Sequence, residues 1–525
     1  MKTKKSVFCY GKDKLTPLKA TQIASGLRKG VLTPEIKKRV NACFQDVAAI
    51  AAEGKSVYGI NTGFGPLCQT TISPKQVTQL QENILRSHCV GVGDFIEPHL
   101  AKLMFILKTQ ALCFGYSGVS TETIKRILWH IDHDILPYVP SQGSVGASGD
   151  LAPLAHLFLP LIGVGYVSYK GKRIAIKAVL KKYGLKSLKL GPKEGLALIN
   201  GTQFIAAHAV DAVVRFHNCL EAADIIGALS LEAMLGSMQP FKAKLHRLRP
   251  YQGAGFVAHR LTQLLHKSKL LASHTDCNRV QDPYSLRCMP QVHGTSRDAW
   301  SYINQQVLIE LNSVTDNPII FSKKETISGG SFHGQPLALP MDYACLAASE
   351  LGNISERRTY LLLEGKGGLP LLLMKDTGIN SGFMIPQYTA AALVSENKTL
   401  CYPASADSIP TSVGQEDHVS MGSISARKAR TVIDNLEKVL AVELLTAAQA
   451  LDYRRPVKST CVLEACHQLI RKHITHAEKD RVFGQDLNRA RKVIARGELV
   501  AVANGAAKKH GINLNGKLGK NFAIE

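Results

Sequence analysis

The chain has no run of eighteen uncharged apolar residues, and its most apolar stretch, near Ala222 to Gly236, is broken by Asp224 and Glu232. A membrane-spanning helix is therefore not expected. The basic start Met-Lys-Thr-Lys-Lys is followed by no apolar core, so no signal peptide is expected either, and the chain reads as cytoplasmic. Twelve cysteines are present but no Cys-x-x-Cys pair, the closest two being Cys461 and Cys466. They read as reduced thiols, neither a disulfide framework nor a zinc site. His130 and His133 share a helix face with no third ligand near them, so no metal is expected. Aromatic residues are scarce at 6%, and no recognition motif accompanies the net charge of +23. That combination argues against nucleic-acid binding. The basic clusters at Lys181, Lys182, Lys186, Lys189 and Lys193, at Lys242, Lys244, Arg247 and Arg249, and at Lys508, Lys509, Lys517 and Lys520 read as solvated faces. Strand signals are thin: Tyr166 to Tyr169 and Arg173 to Ile176, around Lys170-Gly171, read as one hairpin.

What remains is helical. Thr202 to Met238 is nearly all helix formers, interrupted only by Gly227 and closed by Gly236 and Pro240. Ala299 to Leu311 and Met341 to Leu363 follow, and Ser425 to Tyr453 carries Val432, Leu436, Val439 and Leu440 on one stripe. Several of these segments are apolar around most of their circumference, which implies burial among other helices. The expected fold is mainly α: a loop-rich N-terminal part over residues 1–201 and a long-helix bundle over 202–525, with few short strands.

The segment Gly143-Ser-Val-Gly-Ala-Ser-Gly-Asp-Leu-Ala-Pro-Leu-Ala-His156 stands out from this background. A serine-hydrolase elbow is excluded, because Gly146 stands two residues before Ser148 but Asp150 two after. Ala147-Ser148-Gly149 is instead suited to cyclise. Gly149 lacks a Cβ, so its nitrogen can be pressed against the Ala147 carbonyl carbon at an unusual φ/ψ. Ser148 carries a β-hydroxyl that can leave as water. Ring closure with loss of two waters gives a methylidene-imidazolone (MIO), an electrophile that ordinary side chains do not supply.

Further blocks lie in order along the chain: Val57-Tyr-Gly-Ile-Asn-Thr-Gly-Phe-Gly65, Glu194-Gly-Leu-Ala-Leu-Ile-Asn-Gly-Thr-Gln203, Gln281-Asp-Pro-Tyr-Ser-Leu-Arg-Cys288, Asp316-Asn-Pro318, Gly329-Gly-Ser-Phe-His333 and Ser405 through Met421. Together with the Ala-Ser-Gly segment they resemble the MIO-bearing aromatic amino acid ammonia-lyases, and most closely the branch acting on histidine. The resemblance implies an MIO built from Ala147, Ser148 and Gly149 with no dissociable cofactor. It also implies a homotetramer whose active sites take residues from three subunits, and elimination of ammonia from L-histidine to give trans-urocanate. A tyrosine ammonia-lyase or an aromatic aminomutase on the same scaffold is the alternative.

Residue by residue, the resemblance makes Tyr58 the base, presented by a mobile loop bearing Gly59, Gly63 and Gly65. Because a free tyrosine titrates near ~10, its site is expected to lower that value. Arg287 holds the substrate carboxylate through a charge-assisted, bidentate pair. Asn200, Gln281 and Tyr284 orient the MIO and the α-carbon end of the substrate, and Phe332 packs beside the MIO. His88, in Arg86-Ser-His-Cys89, and Glu416, in Gln415-Glu-Asp-His-Val-Ser-Met421, fall at the selectivity positions. An imidazole wants partners for both ring nitrogens, and this pair offers them. The pattern is not followed everywhere: Met289 stands for a usual Gln, Gly414 and Ser331 for usual Asn, and His293 for a usual Met.

Overall fold

The computed structural model describes residues 6–53, 56–274 and 280–525. Four long helices form its centre: α1 (Gln203–Ala233), α2 (Met289–Glu310), α3 (Gln335–Leu362) and α4 (Gly422–Asp452). The expected helices are all present: α1 is shorter than its stretch and stops at Ala233, whereas α2, α3 and α4 begin ahead of theirs. The α3–α4 interface is the most extensive, followed by that between α4 and α1. Gly227 does not interrupt α1. A Cβ there would lie 2.5 Å from the Met289 sulfur, so the glycine admits α2 at close range. The helices bury nearly all of their surfaces at the crossing, as the long apolar stretches of α1 and α4 require.

Charged residues thread this interior. Asp224, which breaks the apolar stretch in sequence, is fully buried and accepts from Arg260 Nε at 2.9 Å, Arg297 at 2.7 Å and His293 Nδ1 at 2.9 Å. Arg358 of α3 grips Glu443 of α4 through Nε at 2.5 Å and a second nitrogen at 2.8 Å, while Ser230 and Ser355 donate to the same carboxylate. Every lone pair is thus occupied, which is the condition under which a buried ion pair is tolerated. Arg358→Met leaves Glu443 buried without its cation, so unfolding free energy is expected to fall by about 3–5 kcal/mol. A guanidinium titration of the purified protein measures it.

The N-terminal part contributes shorter helices, among them Val77–Ser87, Pro98–Cys113, Leu151–Phe158 and Glu194–Ile199. The hairpin forms as expected, with Tyr166 opposite Ala175 and Tyr169 opposite Lys172, and Leu136–Pro137 adds a third short strand. One hydrophobic cluster runs from Phe8 to Leu514. His130 is buried, its Nδ1 bonded to the Ile135 carbonyl at 2.7 Å, whereas His133 faces out. No metal-holding group of His, Cys, Asp or Glu occurs among the described residues, and no helix among them is long and apolar enough to cross a membrane.

One reading of charge is corrected. Lys193 belongs to no solvated face: it is fully buried and its ammonium donates to Asp316 at 2.6 Å and to the Ser117 carbonyl at 3.0 Å. Such a partner offsets the cost of burying the charge, and it lies 123 residues away in sequence.

Candidate active site

A cavity of about 870 Å³ opens where the N-terminal loops meet the ends of the bundle helices, and Ala147 and Ser148 lie in its wall. Their conformation is set by two flanking anchors. On one side Met421 N donates to the Val145 carbonyl at 2.9 Å and Ser423 Oγ to the Ser144 carbonyl at 2.6 Å. On the other, the chain pairs with the turn ahead of α1: Gly149 and Gly201 form a parallel bridge, and Asp150 N donates to the Gly201 carbonyl at 2.8 Å. Gly149 adopts φ +77°, and a Cβ on it would stand 2.2 Å from the Gly201 oxygen. No other residue type fits there. The Asp150 carboxylate accepts from Phe204 N and Ile205 N, both at 3.0 Å, and so caps α1. Burial nevertheless pushes its carboxyl up to about 7.

Asn200 follows the Glu194–Ile199 helix. Its Nδ2 donates to the Ser148 carbonyl at 2.9 Å, and Gly201 N approaches the same oxygen at 3.4 Å. Asn200 Oδ1 is buried and has no protein hydrogen-bond partner. A small, glycine-hinged segment, a doubly addressed Ser148 carbonyl and an orphan amide oxygen beside it are what an MIO at 147–149 calls for.

Tyr58 lines the same cavity, and its hydroxyl accepts from Gly65 N at 3.5 Å. Its loop is fastened: Val57 N donates to Asn61 Oδ1 at 2.8 Å, and Gly63 N and Ile72 N make backbone bonds to Thr70 and Asn61. The expected lowering of the Tyr58 pKa is not found. Burial raises it, the Gly65 N–H pulls it back, and the carboxylate of Glu416 raises it again. Desolvation of the phenolate outweighs a single N–H donor.

His88 caps the end of the Val77–Ser87 helix with Nδ1 3.0 Å from Ser87 Oγ, and burial lowers its pKa, so the ring is neutral at pH 7. Glu416 lines the same cavity, and its Oε2 is buried with no protein partner. Phe332 lines the wall as well. Gln281, Tyr284 and Arg287 do not line this cavity. Tyr284 is 71% exposed, and the Arg287 guanidinium lies 4.6 Å from its ring centre with Nε unpartnered.

Two histidines at the cavity were not picked out from sequence. His333 and His418 stack in parallel at 5.9 Å, with His333 Nε2 3.2 Å from the His418 carbonyl. A histidine in each of two motif blocks was the available signal. Lys108, fully buried in Pro98–Cys113 and bonded to the Asn200 carbonyl at 2.6 Å, was missed as well. A lone lysine in an apolar helix was its signal.

Known proteins resemble the chain over nearly its whole length. The sequence profile described as aromatic amino acid lyase matches residues 15–472. Histidine ammonia-lyase of Natranaerobius thermophilus is 46% identical, covering 90% of this chain and 93% of that protein. The crystal structure of histidine ammonia-lyase from Trypanosoma cruzi superposes with a TM-score of 0.90 at 38% identity, covering 99% of this chain and 98% of the other. Tyrosine aminomutase from Streptomyces globisporus also reaches 0.90, at 34% identity over 95% of this chain and 98% of the other.

Proposed function

The chain belongs to the aromatic amino acid lyase family, and from that premise we propose that it removes ammonia from L-histidine to give trans-urocanate. The observation that carries the substrate is the buried, unpartnered Oε2 of Glu416 in the same cavity as Ser148 and the neutral His88. Glu416 lines the cavity, and a buried carboxylate oxygen without a donor is costly unless a ligand N–H meets it. The two nitrogens of an imidazole meet Glu416 and His88; a phenol ring satisfies neither in the same way.

An MIO formed from Ala147, Ser148 and Gly149 supplies the electron sink that turns the substrate amine into a leaving group. The chain's own residues do the rest. Asn200 and Gly201 hold the Ser148 carbonyl, so the electrophilic edge of the segment faces the cavity. Tyr58 takes the β-proton, which is weakly acidic and does not leave without a placed base. Phe332 closes the wall and excludes water from the apolar side.

The substrate carboxylate needs a cation, and Arg287 lies away from its own chain's cavity. We assign that role to Arg287 of a neighbouring copy, with Gln281 and Tyr284 beside it, in a homotetramer. The exposure of Tyr284 supports this, as do the apolar side chains Ile309, Leu339 and Leu346 left uncovered on α2 and α3. The proposed location is the cytoplasm, and nucleic acid is not a proposed partner.

The test is the ultraviolet absorbance of the enoate released from L-histidine, with L-tyrosine as the control. Turnover of tyrosine but not histidine sinks the assignment, and a β-amino acid product points to an aminomutase. In the same assay Glu416→Gln is expected to lower kcat/KM for histidine by about 10- to 100-fold, the worth of one charge-assisted bond, with a much smaller change for any tyrosine activity. Equal losses on both substrates remove Glu416 from imidazole recognition.

A further inference from the structure

We propose that Lys108 is a positioning residue for the backbone condensation at Ala147-Ser148-Gly149, acting through the Asn200–Gly201 peptide. This rests on the MIO reading above and adds to it a residue that never touches the segment.

The geometry runs through one peptide plane. Lys108 Nζ donates to the Asn200 carbonyl at 2.6 Å, and no other hydrogen bond holds that nitrogen among the described residues. In a trans peptide the carbonyl and the next N–H point in opposite directions. The N–H of this plane is that of Gly201, which approaches the Ser148 carbonyl oxygen at 3.4 Å. A donor on the carbonyl side polarises the plane and strengthens the N–H on the far side, because hydrogen bonds in series reinforce one another at low dielectric. The same bond pins the Asn200 main chain and so aims its Nδ2, 2.9 Å from that same Ser148 oxygen. Two donors thus converge on one carbonyl, and Lys108 sits behind both.

The Ser148 oxygen is where charge gathers during the chemistry. In the first step the Gly149 nitrogen bonds to the Ala147 carbonyl carbon. The Ala147 oxygen then departs as water with the hydrogens of the Gly149 and Ser148 nitrogens. In the second step the Ser148 Cα–H bond breaks, its electron pair forms the Cα=Cβ bond, and the Oγ hydroxyl leaves Cβ. The proton and the hydroxide together make the second water. While the Cα–H bond breaks, negative charge moves onto the Ser148 carbonyl oxygen, and preorganised donors at such a point lower the barrier. Burying an amine with a single carbonyl partner is costly. The fold does so at 1% exposure, and burial draws the Lys108 amine down to about 7, partly offset by Asp316. Packing alone would be served by a methionine of similar length.

The test follows the segment directly. The full chain is made in a cell-free reaction, sampled over minutes to hours and digested, and the peptide spanning 147–149 is weighed for the loss of one and two waters. Lys108→Met is expected to melt near the unsubstituted protein yet lose its second water at least about tenfold more slowly, the worth of one such donor. Lys108→Gln, which keeps a neutral donor, is expected between the two. It also carries the test should the methionine variant not fold. A folded variant that dehydrates as fast as the unsubstituted chain overturns the role of Lys108. An unsubstituted, active protein that never loses two waters overturns the MIO reading itself, a different and recognisable outcome.

Discussion

Ser148→Ala is expected to give a folded protein that releases no measurable urocanate from L-histidine. The hydroxyl of Ser148 is the only group in the segment able to depart from a β-carbon, so alanine cannot yield the methylidene. Activity should fall by more than about 10⁴-fold, since the electrophile carries most of an acceleration that reaches ~10⁶ or more in enzymes generally. Stability should change by no more than ~0.5 kcal/mol, the usual range for a substitution away from caps and core packing. The Ser148 hydroxyl makes none of the hydrogen bonds that anchor the segment; those run through its carbonyl, Gly146, Ser144 and Asp150. Enoate absorbance, the mass of the 147–149 peptide and a melting curve together give the answer. Substantial retained turnover would falsify the electrophile assignment.

Tyr58→Phe is expected to lower kcat by about 10²–10⁴-fold, the usual contribution of a placed base, while KM changes little. The pH profile adds a sharper readout. In the proposed role the working form of Tyr58 is the phenolate, and burial raises its pKa above the ordinary value. The active form is therefore scarce at neutral pH and grows as pH rises. The unsubstituted enzyme should show kcat/KM climbing on the alkaline side of neutrality, and Tyr58→Phe should lack that limb. A variant that keeps the climb assigns the limb, and the base, to another group.

Much of this was readable from residues alone, and the pattern of success has physical reasons. Val432, Leu436, Val439 and Leu440 mark α4 because apolar residues on one helix face recur every three to four residues. Tyr58, His88, Ser148, Asn200, Phe332 and Glu416 come together in one cavity although they span more than three hundred positions, since each lies in a block whose turn chemistry is local. Charge was harder. Lys193 looks like any surface lysine in sequence and Lys108 differs only by its apolar helix; their partners, Asp316 and the Asn200 carbonyl, are brought near only by the fold. The Tyr58 pKa was misjudged for the same reason: the expectation followed the demands of the reaction, whereas desolvation follows packing.

The pairing of Gly149 with Gly201 also bears on timing. The two glycines are separated by fifty-one intervening residues, so the neighbourhood that bends the Ala147 to Gly149 segment exists only after the stretch through Gly201 has been synthesised and docked. Until then the chain is ordinary peptide. That order has a protective side. A methylidene exposed on an unfolded chain would be open to attack by thiols, and this polypeptide carries twelve cysteines of its own. On the proposed MIO reading, deferring the reactive group until the fold has closed around it keeps the growing chain from alkylating itself.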